Sequence, residues 1–149
     1  MKLTESPILR LKTIKVLNFK IEENIKGENK FNLNGDFEGI VHRSKDKTYK
    51  GLEFKLDVNK GTKNAAIKAH LEILALFDIV NKELSEEEEA KFLLYNGLSI
   101  IYGIVRGMIY QACSVLPPDY RILPTVNMKD FIKNCIKEKL KEESAPSGT

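Results

Sequence analysis

The sequence predicts an α+β fold: a four-stranded antiparallel sheet packed by one long and one shorter C-terminal helix. Three observations predict it. The N-terminal half alternates apolar and polar residues in four segments parted by polar turns. Ser85–Ser114 then switches to apolar spacings of three and four. A second amphipathic stretch follows a proline-bearing loop. At 149 residues and 42% hydrophobic, one domain over 1–143 can bury its own core. The remainder, Ser144–Thr149 (SAPSGT), reads as a disordered tail.

The first segment, residues 8–22, changes parity twice. Leu9 and Leu11 share one parity, Ile14 and Val16 the other, and Leu17, Phe19 and Ile21 return to the first. A strand that shifts parity twice is best explained by a bulge or kink, and Lys12, Lys15 and Lys20 would then mark its wetter face or edge. Asn24–Lys30 is a turn by composition. Phe31, Leu33, Phe37 and Val41 alternate with polar residues, with Gly35 and Gly39 in the apolar register. Leu52, Phe54, Leu56 and Val58 give the cleanest alternation. From Ala65 to Val80 one parity is apolar throughout, while the other turns from Lys68, His70 and Glu72 to Leu74, Leu76 and Val80. Short turns between such strands imply a meander with one face covered by helix.

Ser85 is a good helix N-cap, with Glu88 placed to complete a capping box and Glu86–Glu89 on the positive end of the dipole. No charge then occurs between Lys91 and Arg106. Phe92, Tyr95, Leu98, Tyr102, Val105 and Ile109 form one stripe, and Leu94, Ile101, Ile104 and Met108 a second. A helix apolar nearly all round is buried on two sides: one on its own sheet, the other against a second copy. Gly103 and Gly107 form a GxxxG pair that suits either tight core packing or a helix–helix interface. A bilayer span needs about 20 apolar residues. The uncharged run from Phe92 to Val105 is shorter and is diluted by Asn96, Gly97 and Ser99, which argues against stable membrane insertion. Arg106, deep in this helix, calls for a partner or a subunit boundary. In the last helix Phe131, Ile132, Cys135, Ile136 and Leu140 share a side.

The composition excludes several functions. A net charge of +3 with dispersed lysines gives no basic patch for nucleic acid. Cys113 and Cys135 lack metal or redox spacing and read as reduced core residues. His42 and His70 lie in different strands, and nothing orders a Cys–His pairing. No phosphate-cradling glycine motif occurs. No enzyme activity, cofactor or metal is expected. The N-terminus shows no continuous apolar leader, which places the protein in the cytoplasm.

Residues Ile100–Met128, IIYGIVRGMIYQACSVLPPDYRILPTVNM, resemble the corresponding stretch of the SecB family of export chaperones. That family places an aromatic before an arginine in the long helix, then a proline turn, an apolar crossover loop and a Pro-Val-Asn-aromatic step into the last helix. Tyr102, Arg106, Leu116-Pro117-Pro118 and Thr125-Val126-Asn127-Met128 occupy those places. Gly107 stands where an acidic residue is common, Thr125 replaces the usual proline, and Met128 replaces an aromatic. The basic balance and the tail also depart from the acidic sheet and SecA-binding tail of that family.

The resemblance implies an ATP-independent holdase for unfolded or partly folded clients, assembled as a homotetramer (a dimer of dimers). SecA or an antitoxin of a toxin–antitoxin system would be its further partner. It implies a client groove of Val16, Phe19, Phe37, Leu116, Tyr120, Ile122, Leu123, Phe131, Ile132 and Ile136. It implies an oligomer interface at Tyr95, Tyr102, Gly103, Arg106 and Gly107. The residues leave two alternatives open: a dedicated antitoxin chaperone, or a sheet-and-helix domain enclosing a small apolar ligand.

Overall fold

The computed structural model describes residues 1–144. The expected disordered tail lies outside the described residues except for Ser144, which closes the last helix. Four strands, β1 (Leu9–Glu23), β2 (Leu33–Arg43), β3 (Thr48–Val58) and β4 (Ile67–Ile79), form one antiparallel sheet. Helix α1 (Glu86–Phe92) passes through a π-helical turn at Leu93–Gly97 into α2 (Leu98–Ala112), and α3 (Met128–Ser144) ends the described chain. The α+β architecture is therefore as expected.

The strand order, however, is β1-β4-β3-β2, a Greek-key order and not a meander. Only β2, β3 and β4 are joined as successive neighbours. The link from β1 crosses the end of the sheet to reach β2 on the far edge. Its backbone is tied down on the way. Asn24 N–H donates to Ala66 O at 2.8 Å, and Ala66 N–H donates to Glu28 O at 2.9 Å. Gly27 is needed there, because a Cβ would stand 2.6 Å from the Ala66 backbone. The buried side chain of Asn59 completes the corner. It accepts from Asn32 N–H at 2.7 Å and donates to Lys30 O at 2.9 Å and Ile67 O at 2.8 Å. Both amide hydrogens and the carbonyl oxygen are engaged, which offsets the cost of burying it. A turn read from composition alone could not reveal this long crossing.

Both parity changes in β1 are register shifts against β4, one between Leu11 and Thr13 and one between Val16 and Asn18. They put Leu9, Leu11, Ile14, Val16, Phe19 and Ile21 opposite Ile79, Phe77, Ala75, Ile73, Leu71 and Ala69. Those β4 residues form the helix-side face, of which Ile73, Ala75 and Phe77 are fully buried. The bulges thus keep these six apolar residues on one face, while Leu17 sits unpaired in the second bulge and is exposed.

Ser85 Oγ accepts the Glu88 N–H at 3.2 Å, starting the long helix where the capping signal lies. Gly97 then presses against the sheet: a Cβ there would lie 3.0 Å from Leu52 and 3.4 Å from Phe77. Further on, Met108 and Ala112 lie beside Phe19 of β1. The helix therefore crosses the sheet diagonally, from β3 and β4 toward the far end of β1. Leu98, Ile101, Val105 and Ile109 fill the space beneath it. The whole stretch Glu86–Ala112 is long and apolar enough to cross a bilayer by length and composition, so the short uncharged run did not decide that question. Packing on the sheet accounts for one apolar stripe of this helix, with Leu98, Ile101, Val105 and Ile109 buried, while Ile100 on the other side is exposed.

Candidate functional site

Two apolar surfaces and one clasp emerge from this arrangement. The clasp comes from Tyr102 and Arg106, four residues apart and therefore on one face of α2. The Tyr102 hydroxyl donates to Pro124 O at 2.5 Å. Arg106 Nε donates to Leu123 O at 3.1 Å. Within the chain, the partner that Arg106 calls for is this backbone carbonyl. Burial raises the Tyr102 phenol above its ordinary pKa, against the nearby Arg106 charge, so it stays a donor. Together the two side chains pin the crossover loop, residues 113–127, to the helix. Farther up the loop, Arg121 Nε donates to Leu116 O at 2.8 Å and its guanidinium lies over the Tyr110 ring.

The remaining residues expected at an oligomer interface behave differently. Tyr95 is half-buried, and its carbonyl accepts from Ser99 Oγ. Gly103 and Gly107 are exposed, and a Cβ on either would meet nothing within 4 Å. Tight core packing therefore does not explain the GxxxG pair. The glycine that seats the helix on the sheet is Gly97. The glycine pair lies on the outward side of α2 with Ile100, and Met108 beside it is half-buried.

The expected client-groove residues separate into three places: Leu116, Tyr120, Ile122 and Leu123 lie in the crossover loop, and the others at the two edges of the sheet. Val16 and Phe19 belong to β1, at one edge of the sheet. Phe37, Phe131, Ile132 and Ile136 lie at the opposite edge, where α3 covers β2 and β3. The Phe131 ring packs against Phe37 at 6.0 Å and against Phe54 at 6.3 Å. Gly35 makes room for it, since a Cβ would stand 3.2 Å from the Phe131 ring. Lys139 spans the Phe37 ring and donates to Phe37 O.

Burial sorts the same set further. Phe37, Leu116, Leu123 and Ile132 are core residues, none more than 6% exposed. They support a surface without forming it. Tyr120 and Phe131 are half-buried. Val16, Ile122 and Ile136 are open, at 46%, 51% and 43% exposure. The sequence reading missed further members of both surfaces. Leu11 and Ile14 stand beside Val16 on β1 and are exposed, and Leu140 continues the open side of α3. Their alternation and helical spacing were visible, but the same pattern also marks core.

The chemistry-bearing residues are dispersed. His70 is on the outer face of the sheet, with Nδ1 2.7 Å from Asp57 Oδ1. Cys113 is buried on the helix side, and burial, reinforced by Glu23, pushes its thiol up to about 11. Burial also raises the Cys135 thiol. Neither supplies a thiolate near neutral pH, and neither is paired with a histidine.

No family model and no curated relative matches the chain by sequence. Among solved structures it is similar to the Mycobacterium tuberculosis Rv1957 SecB-like chaperone in complex with a ChAD peptide from the Rv1956 HigA1 antitoxin. The two chains are 18% identical with a TM-score of 0.50, over 80% of this chain and 91% of that chain. The likeness establishes the fold: a SecB-like four-stranded antiparallel sheet carrying a long and a shorter helix.

Proposed function

We propose that this chain is an ATP-independent holdase for non-native polypeptides. The observation that carries this reading is the apolar row Leu11, Ile14 and Val16, left open on the helix-side face of a SecB-like sheet. Burying such surface against an unfolded segment yields roughly 25 cal/mol per Å², and contiguous patches of this kind mark interaction sites. Ile122, Ile136 and Leu140 provide a second surface on the crossover loop and α3. Phe37, Leu116, Leu123 and Ile132 hold these surfaces from beneath. We assign the outward side of α2, with Ile100, Gly103 and Gly107, to contact with a second copy in a homotetramer acting in the cytoplasm.

The test is dilution of a chemically unfolded reporter with and without the protein, followed by light scattering in the absence of nucleotide. Suppression of aggregation, reduced by Val16→Asp or Ile136→Asp at unchanged secondary structure, is the expected result. Full suppression by both variants would move the client surface elsewhere. No suppression by the parent protein would sink the general holdase reading.

A narrower reading is favoured by one observation: the similar Rv1957 structure holds an antitoxin peptide. On that reading this chain serves a single client, such as an antitoxin, and copurifies with it while ignoring unrelated reporters. The ligand-enclosing alternative loses support, because Leu98, Ile101, Val105 and Phe77 fill the space where such a ligand would sit.

A further inference from the structure

The charges of α3 are sorted by side. Glu138, Glu142 and Glu143 line a cleft against Asp36 and Glu38 of β2. Within it Lys139 pairs with Asp36 at 3.6 Å, the one ion pair between an α3 lysine and a carboxylate among the described residues. The other lysines, Lys129, Lys133, Lys137 and Lys141, are exposed and recur every four residues. Residues four apart lie one above another on a helix, so lysines scattered in the sequence come into line along α3. Ile136 and Leu140 are exposed beside that line, each three residues after a lysine, Lys133 and Lys137. Asp130, three residues before Lys133, is the acid nearest the line in helical spacing.

Helix stability does not explain this arrangement. Lys129–Lys133, Lys133–Lys137 and Lys137–Lys141 are three successive like-charge pairs at the spacing where repulsion weakens a helix, and glutamate at alternate places would relieve it. Nor does packing explain it. α3 meets the sheet with Phe131, Ile132 and Cys135, while Ile136 and Leu140 stand outside the core. An aliphatic pair beside unpaired cations suits an anionic lipid surface or an acidic protein segment. A helix lying in a membrane interface sinks a broad apolar face into it. α3 has already turned its broad face to the sheet, and two aliphatic side chains remain. An acidic amphipathic helix needs no more than these. Its aliphatic strip covers Ile136 and Leu140, and its carboxylates, four residues apart, match the lysine spacing of about 6 Å.

We propose that the outward side of α3 selects clients, docking segments that form an acidic amphipathic helix. Ile136 and Leu140 seat the segment's aliphatic side chains, and Lys129, Lys133, Lys137 and Lys141 pair with its carboxylates. This gives the α3 part of the proposed client surface a client chemistry, and rests on the holdase reading for taking that surface as one that binds clients.

The probes are three fluorescein-labelled helical peptides of about eighteen residues, roughly five turns. One carries a leucine strip flanked by glutamate at every fourth position. Its twin has lysine for each glutamate, and the third has alanine for each leucine. Binding is followed by fluorescence anisotropy at low and high salt. The glutamate–leucine peptide should bind about tenfold more tightly than either of the others, its margin over the lysine twin narrowing as salt rises. Lys133→Gln with Lys137→Gln keeps good helix formers and should erase most of that margin. Lys129→Glu with Lys133→Glu and Lys137→Glu should reverse the order of the glutamate and lysine peptides. Equal binding of the lysine or alanine peptide, binding of none, or an unchanged margin in the glutamine variant overturns the proposal. Sedimentation with phosphatidylserine vesicles that the glutamine variant loses and the acidic peptide does not compete also overturns it, since lipid would then be the occupant. The unfolded reporter is run in parallel. Holding without peptide discrimination defeats this inference alone; peptide discrimination without holding defeats the holdase reading alone.

Discussion

The two edges of the sheet begin from the same sequence pattern and end in different roles. β2 and β1 both place apolar residues on the helix-side face. On β2 the chain returns as α3 and lays Phe131 over Phe37, which becomes core at 6% exposure. On β1 no element returns. α2 crosses the sheet diagonally and reaches β1 only near Phe19, so Leu11, Ile14 and Val16 stay open. An apolar strand is therefore core or open surface according to what the chain lays over it, and alternation alone does not tell which.

Phe131→Ala should sharpen this contrast most. It empties the contact with both Phe37 and Phe54, and a loss of about 3 kcal/mol is expected by urea denaturation, the low end for a large aromatic because the ring is half-buried. Val16→Ala, on the other edge, should change stability by no more than about 0.5 kcal/mol. Equal losses at the two positions would mean that β1 is covered in solution, and the contrast would collapse.

A smaller effect separates two glycines of β2. Gly35→Ala must displace the Phe131 ring or the Lys55 carbonyl, so a cost of about 1–2 kcal/mol is expected. Gly39→Ala meets nothing within 4 Å, and should be neutral or stabilising by about 0.5 kcal/mol through reduced chain entropy. Thermal or chemical unfolding of the two variants side by side checks this.

Tyr102→Phe removes the hydroxyl from Pro124 O. A loss of about 1 kcal/mol is expected, and amide exchange should quicken in residues 113–127 before it does in the sheet. Uniform quickening would mean that the loop is not separately held.

The smallest effect is electrostatic and lies where β4 ends. The Lys47 hydrogen bond, helped by the charges of Lys12 and Arg10, depresses the Asp78 carboxyl below its ordinary 3.8 in spite of some desolvation. A depressed carboxyl contributes above its unfolded pKa and loses that contribution as pH falls through its folded pKa. A titration of the Asp78 carboxyl carbon by NMR should therefore show a midpoint below 3.8, moving up toward it in Lys47→Met.

Much of this architecture was legible in the residues. The two parity changes of β1, the Ser85 cap and the four alternating segments are local signals, and each corresponds to an element of the fold. Strand order was not legible, because Asn24–Asn32 looks like any polar turn. Its crossing depends on contacts with residues 59–66, far along the chain. The candidate site was legible in part. Arg106 stood out as the one charge deep in an apolar helix, while Tyr102 read as part of the apolar stripe; their acceptors are backbone carbonyls, which carry no sequence signature. Phe37, Leu116, Leu123 and Ile132 could not be told from surface residues until α3 and the loop were in place.

The clasp bears on how such a fold drifts through evolution. Tyr102 and Arg106 grip main-chain oxygens of Leu123 and Pro124, and every amino acid offers the same carbonyl. The path of the crossover loop is thus specified from the helix side, leaving exposed positions such as Ile122, Pro124 and Thr125 free to be rewritten. A lineage could exchange the side chains shown on this loop, one substitution at a time, without having to rebuild the scaffold that carries them.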